Sequence, residues 1–396
     1  MNYPIKILYV HHAVGWGGAP LNMINIINTL DRSKYEPFVL LLKDSEVKNK
    51  LKEYNIPYKI AESKFYKSFY SYFNFTIPGE IKWFRFYTLT KVIVSWLFSR
   101  FYFSKKELDK INFDIIHLNS SVLTDFLAIG HLKGKVIMHI QEPVSKGLLG
   151  IRYSFFKNQI RKYADSIICI SEDNKDRLEL LDKSVVVYNF ISMIDSEPPM
   201  ESYHSKKVLF MGGASQIKGF ETLVNAMSYI DSDITVLFAG YYPKFNNLSI
   251  IKRIKRLRYS AIKLNKQIKR MRKNEKAKEL GLVFDISSTI DEVCCILSPF
   301  SVVHFSRPII EAFARKKTVI ATNIPGMNEI VDDKENGFLI KKDNVKELAQ
   351  AINFICNNPK LAYEMGNSGY QKAINSFSSK NASIITQIYD KLSQLK

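Results

Sequence analysis

Residues 301–331 read SVVHFSRPIIEAFARKKTVIATNIPGMNEIV. The apolar run Ser301–Phe305 suits a strand buried on both faces. Arg307 follows in a turn. Pro308, with its fixed φ and missing N–H, suits the first position of a helix, which the pattern carries to Arg315. A second apolar run, Thr318–Thr322, supplies the next strand. Strand, helix and strand in succession make a βαβ unit, whose strands lie parallel.

The same alternation extends outward from this unit. Before it come strands at Val208–Met211, Ile234–Gly240 and Gly281–Asp285, with a helix at Gly219–Met227. After it come helices at Asp343–Cys356, Pro359–Ser376 and Ser379–Leu395. The first half repeats the plan, with strands at Ile5–Val10, Pro37–Leu42, Asp114–Leu118, Lys135–Ile140, Ser166–Ile170 and Ser184–Tyr188 and a helix at Ala19–Leu30. Ser192–Lys206 breaks the rhythm with Pro198, Pro199, serines and charges of both signs, and reads as a linker. The sequence thus predicts an α/β chain of two doubly wound, Rossmann-like domains, 1–191 and 207–378, joined by 192–206. Ligands of such sheets bind beyond the carboxyl ends of the strands, so a central cleft faced by both domains is the expected site.

Composition supports two folded domains. The chain has 396 residues, 46% hydrophobic and 24% charged. Its 57 Lys and Arg against 38 Asp and Glu leave a net charge of +19, which favours an anionic partner. Cys169, Cys294, Cys295 and Cys356 have no metal-ligand spacing and read as buried thiols of a reducing compartment. No metal site and no cofactor is expected. Met1–Pro4 runs straight into a strand, so no signal sequence is expected. The most apolar segment, Thr88–Phe103, is interrupted by Lys91 and Arg100 and falls short of the roughly 20 apolar residues of a membrane span.

Three turns carry candidate chemistry. Gly15, Gly17 and Gly18 follow the first strand and open a helix, where free backbone N–H groups favour an anion; a plain tight turn would look the same. Gly212 and Gly213 follow the first strand of the second half. Lys218 stands at the next helix start, where the dipole disfavours a cation, so neutralising phosphate is its candidate role. Glu311, in the first turn of the helix after Arg307, could accept hydrogen bonds from a ribose diol or simply complement the dipole. His139 and Glu142 end a first-half strand and should face the cleft.

Taken in order, these turns resemble those of the GT-B glycosyltransferases of family 4, which are retaining enzymes. Gly212 through Gly219 resembles a segment that usually reads Gly-Arg-x-x-x-x-Lys-Gly, and Val303 through Glu311 falls on a Glu-x7-Glu motif. Gly213 stands where the arginine is usual and Val303 where the first glutamate is usual. Arg307 is the expected substitute for that arginine, its planar fork matching phosphate. The resemblance implies a nucleoside diphosphate sugar as donor, with Gly17, Gly18, Gly212, Gly213, Lys218, Phe305, Arg307, Pro308, Ile309 and Glu311 around it. It implies Lys218, Arg307 and His139 as catalytic residues, His139 touching the donor sugar near the reacting carbon. Glu142 falls on the acceptor side. The last helix, 379–396, is expected to cross back to the first domain. No nucleophile is evident, so a front-side, ion-pair-like transfer with retained configuration is implied. The acceptor would be a saccharide, lipid-linked where it serves bacterial surface polysaccharide synthesis.

Two alternatives fit less. A nucleic-acid-binding protein would explain the charge, but no readout motif is present, and no nucleic-acid partner is expected. A GT-B sugar epimerase shares the fold. Much of the charge sits in Ile251–Leu280, with thirteen Lys or Arg against Glu275 and Glu279. It reads as a long basic helix suited to an anionic membrane. Lys64–Lys106, rich in aromatics, could add Trp83 and Trp96 at headgroup depth. The expected location is cytoplasmic, peripheral at the inner face of the plasma membrane.

Overall fold

The computed structural model describes residues 4–12, 15, 17–71, 86–147, 150–194, 197–243, 259–283 and 285–394. They form two compact units, one of 1–190 with 379–396, the other of 191–378.

The first unit holds a seven-stranded, all-parallel sheet. Its strands are β1 (Ile5–His11), β2 (Tyr35–Leu41), β3 (Tyr58–Ile60), β4 (Ile115–Leu118), β5 (Lys135–Ile140), β6 (Ser166–Cys169) and β7 (Ser184–Val186). They lie in the order β3-β2-β1-β4-β5-β6-β7. Period-two alternation sends successive side chains to opposite faces. Leu8, Val10, Ile116, Leu118, Met138, Ile140 and Ile167 face one core, which also takes in Phe126, Phe156 and Ile160. Ile7, Tyr9, Val39, Ile115, Ile137 and Ile168 face the other. That second core is closed by the helix Gly18–Asn28 and by Ala382, Ile385, Tyr389 and Leu392 of the chain's last helix, Asn381–Gln394.

The second unit holds a six-stranded parallel sheet in the order β10-β9-β8-β11-β12-β13. The strands are β8 (Lys207–Phe210), β9 (Thr235–Ala239), β10 (Ala277–Gly281), β11 (Cys295–Ser298), β12 (Thr318–Thr322) and β13 (Gly337–Ile340). The two doubly wound sheets match the fold class that the sequence predicts. β3 and β13 have no counterpart among the expected strands, and the largest boundary differences fall in three places. The strand expected at Ser301–Phe305 is Cys295–Ser298 instead; Pro299, which cannot donate to a ladder, ends it. The strand expected at Gly281–Asp285 ends at Gly281. The stretch expected as a linker carries the helix Met200–His204, whose Tyr203 is fully buried and bonds Lys316 O.

The expected long basic helix is also corrected. Tyr259–Arg272 is helical, but Ala277–Gly281 is a strand. Ile268 and Met271 are buried in the second unit's core, so that apolar face packs inward. Three of its five cations are tied down locally, Lys263 to Glu221, Arg270 to Asn225 and Arg272 to Glu279. Residues 251–258, with Lys252, Arg253, Lys255, Arg256 and Arg258, lie outside the described residues. In the aromatic segment, Trp96 is 7% exposed and its indole N–H donates to Thr124 Oγ1, so it is a core residue and not a headgroup anchor. Trp83 lies outside the described residues. No helix among the described residues is long and apolar enough to cross a membrane.

All three tryptophans, Trp16, Trp83 and Trp96, precede residue 190, so tryptophan fluorescence reports on the first unit alone. Ile385→Ala, in the last helix, should lower that unit's unfolding free energy by about 2–5 kcal/mol, the usual range for truncating a buried isoleucine. Urea titration followed by tryptophan emission reads this as an earlier midpoint; an unchanged midpoint would exclude the helix from that unit's core.

Candidate active site

The carboxyl end of the second sheet is built by loops that approach one another closely. Gly213, beyond β8, has φ +56 and donates its N–H to Ala239 O, and Ala214 N–H donates to Tyr241 O. A Cβ on Gly213 would sit 3.0 Å from Tyr241 N. This left-handed position suits glycine, and an arginine there is strained by backbone conformation alone. Gly219 (φ +81) caps the helix Phe220–Ala226, and a Cβ on it would lie 1.8 Å from Pro299 O. Ser301 N–H donates to Ile217 O at 2.9 Å, and its hydroxyl to Gln216 O at 3.0 Å. These bonds stitch the loop bearing Lys218 to the loop after β11.

That second loop leads into the helix Arg307–Phe313. Pro308 lies in its first turn. Arg307 Nε donates to Glu311 Oε1 at 2.8 Å, one helical turn on. The two residues assigned separate ligand roles from the sequence are therefore partners. Arg307 Nη1 is buried without a hydrogen-bond partner among the described residues. Burial lowers the Lys218 pKa, and the Glu311 carboxylate opposes the shift. His304, which the sequence reading passed over, stacks on Phe300 at 4.3 Å. Burial, and then the Lys218 charge, push its pKa down to about 4. Lys218, His304, Arg307 and Glu311 thus form one electrostatic group.

Two expected donor-binding residues are corrected. Phe305 is buried and packs edge-on against Phe377, and Ile309 is fully buried. Both are apolar side chains on the core side of the loop and helix, so neither side chain is presented to a ligand.

In the first unit, Gly17 caps the helix Gly18–Asn28, and a Cβ on Gly15 or Gly17 would meet nothing within 4 Å. His139 is corrected. Being two residues from Ile137, it shares the sheet face covered by the last helix, and it is fully buried. Burial pushes its pKa down to about 3. His139 Nδ1 lies 3.0 Å from His117 Nε2, and His117 Nδ1 lies 2.7 Å from Tyr389 Oη. The Tyr389 and Tyr9 hydroxyls are 2.7 Å apart. His139 Nε2 lies 3.2 Å from Gln141 Nε2, which also donates to Asn119 Oδ1 at 3.2 Å. Gln141, two residues past His139 and beyond the end of β5, therefore stands at the rim in its place. Its only sequence signal is this register. Glu142 is clasped by the hydroxyls of Ser120 (2.5 Å) and Ser121 (2.7 Å) and by Ser121 N–H. Burial raises its pKa against those bonds.

The family match falls in the second half of the chain, while the likeness to relatives and solved structures extends over most of it. Residues 197–372 match the family "Glycosyl transferases group 1". That match lies within the second unit. An uncharacterised glycosyltransferase of Methanocaldococcus jannaschii is 24% identical over 318 residues, 76% of this chain and 82% of that protein. The capsular polysaccharide biosynthesis glycosyltransferase CapM of Staphylococcus aureus is 34% identical over 76 residues, 19% of this chain and 20% of that one. The crystal structure of Anabaena HepE in complex with UDP-glucose superposes with a TM-score of 0.74 at 19% identity, over 98% of this chain and 100% of that one. The fold is that of the GT-B glycosyltransferases. Domain and fold together support a glycosyltransferase.

Gly213→Arg restores the side chain usual in similar enzymes. It should lower the melting temperature and leave nucleotide affinity no better than that of the parent chain, because the backbone at φ +56 costs of order 1–2 kcal/mol for a non-glycine residue. Gly213→Ala should show the same loss in differential scanning fluorimetry. A stable Gly213→Arg protein with tighter UDP binding would refute the strain argument.

Proposed function

We propose that the protein transfers a glycosyl group from a nucleoside diphosphate sugar to a saccharide acceptor, with retained configuration, as a hexosyltransferase of the family 4 type. The observation that carries this reading is the cationic group of Lys218 and Arg307 at the carboxyl end of the second sheet, within the glycosyl transferases group 1 domain. UDP is the first nucleotide to test, since HepE of the same fold is described in complex with UDP-glucose. The bond from the anomeric carbon to the diphosphate oxygen breaks, and the acceptor hydroxyl oxygen bonds to that carbon from the same face. The hydroxyl proton passes to the departing phosphate oxygen. Lys218 and the unpartnered Nη1 of Arg307 meet the charge that develops there, while Glu311 holds the guanidinium in place and offers the ribose an acceptor. Neither a metal ion nor a cofactor is assigned a role.

Lys218→Ala and Arg307→Ala should each cut turnover by roughly 100-fold, as loss of a transition-state charge partner does, and weaken UDP binding in calorimetry. Glu311→Gln should weaken UDP binding about tenfold, by loss of charge-assisted bonds. Intact rate and affinity in Arg307→Ala would remove it from the phosphate site.

The acceptor belongs to surface polysaccharide synthesis and is lipid-linked, at an anionic membrane on the cytoplasmic side. Supporting this, Ile93, Leu97 and Phe101 recur every four residues along the helix Phe86–Phe98 and the π-helical turn Ser99–Phe103 that continues it. They are exposed, Phe101 by 70%, beside exposed Phe98 and Tyr102. Lys91 and Arg100 flank the stripe. Leu97→Asp with Phe101→Asp should abolish flotation with anionic liposomes and spare UDP binding. Unchanged flotation would remove the stripe from the membrane contact.

A further inference from the structure

Cys294, Cys295 and Cys356 share the core of the second unit, and two of them touch. Cys294 directly precedes β11, and Cys356 is the last residue of the helix Val345–Cys356. The two are 62 residues apart in sequence, yet their sulfurs lie 3.4 Å apart. Both side chains are buried. Cys295 donates its S–H to Ile296 O, and Cys169 lies in the first unit.

The hydrogens of the touching pair have one order. Cys294 Sγ donates to Lys207 O at 3.2 Å, and a carbonyl only accepts. A thiol carries one hydrogen, so the hydrogen between the two sulfurs belongs to Cys356. Lys207 O also accepts the Cys294 N–H at 2.9 Å. Removing both thiol hydrogens therefore leaves that carbonyl with its backbone partner. The sulfurs need only close from 3.4 Å to the roughly 2.0 Å of a disulfide, a movement that two short side chains share.

The surroundings suit the chemistry. Asn353 bonds Tyr229 O and Asp231, and Asn357 bonds the other carboxylate oxygen of Asp231. These exposed bonds fasten the last turn of the helix, so the end that carries Cys356 opens without unfolding the core. Lys317, fully buried, lies within electrostatic reach of Cys294. A cation beside a sulfur stabilises the negative charge that sulfur carries during exchange.

We propose that Cys294 and Cys356 form a reversible disulfide when the protein meets hydrogen peroxide, stapling the end of the helix Val345–Cys356 to the start of β11. One sulfur takes an oxygen atom from the peroxide, giving a sulfenic acid and water. The other sulfur then bonds to it and displaces that oxygen as a second water. Two electrons pass from the two thiols to the peroxide. A dithiol returns the pair to thiols by exchange. In a reducing compartment the pair rests as thiols, and oxidation closes it. The loop so closed contains β12, β13 and the helix with Arg307 and Glu311. The staple thus restricts the unfolded chain across the segment that builds much of the cationic rim. It stands on the fold of the second unit and is independent of the glycosyltransferase reading.

The full-length protein is treated with hydrogen peroxide, alkylated and digested without reductant. Mass spectrometry should find one bond, Cys294 to Cys356, and the thiol count in denaturant should fall from four to two. Dithiothreitol should restore all four. In calorimetry the oxidised protein should melt later by at least about 4 °C, the scale of one disulfide across a long loop. Cys356→Ala should lose both the bond and the shift, and Cys169→Ala should keep both. The parent protein decides the matter even where a variant fails to fold. Four thiols retained, oxidation to sulfinic acid without a bond, or a bond through Cys169 or Cys295 overturns the proposal. An oxidised protein that melts earlier than the reduced one overturns the staple.

Discussion

A parallel sheet has no face fit for water, and the first sheet of this protein completes one of its faces with a helix from the far end of the chain. Ile385, Tyr389 and Leu392 lie against Ile7, Tyr9, Ile115 and Ile137. The cost of bringing residue 389 to residue 9 is a loop closure across most of the sequence, and that cost grows only slowly with loop length. Burial of the apolar face offsets it. One polar atom in this contact, Tyr389 Oη, must find partners in a dry interior, and it finds Tyr9 and His117.

The second sheet solves a different problem. Its rim gathers cations, and cations in a half-buried loop need counter-charge when no anion is bound. Glu311 supplies it to Arg307 through a bond within one helix turn, and its charge reaches Lys218 as well. Gly213 lets the backbone of Tyr241 close in, and Gly219 that of Pro299, which brings the loop after β8 against those after β9 and β11. The departure at Gly213 then has a local sense, since the backbone there is left-handed and strains any side chain.

Much of this was legible in the sequence, because parallel strands buried on both faces write themselves as short apolar runs between helical patterns. Cys169 and Val319, in strands expected at Ser166–Ile170 and Thr318–Thr322, needed no further context. Strand ends were harder. Ser301–Phe305 looks like a strand since Val302, Val303 and Phe305 are apolar, but Pro299 and the bonds from Ser301 to Gln216 and Ile217 draw it into a loop. The basic segment misled for a related reason. The surplus of cations assigned the apolar face of Ile268 and Met271 to a membrane, whereas these residues serve the core. His139 was placed at the rim, but β5 runs on to Ile140, and the rim residue in His139's register is Gln141. The Arg307–Glu311 pair was readable from i,i+4 spacing alone, and was missed because each residue already had a ligand role assigned.

The two rims therefore differ in kind. At the first, burial pushes the pKa values of His11, His117 and His139 down, which keeps these rings neutral. At the second, Lys218 and Arg307 stand near the single carboxylate of Glu311. Neutral hydroxyls are recognised by oriented donors and acceptors, since neither partner has charge to draw it in. A diphosphate is recognised by charge, over a longer range and with less demand on angle. A glycosyl transfer has both kinds of participant.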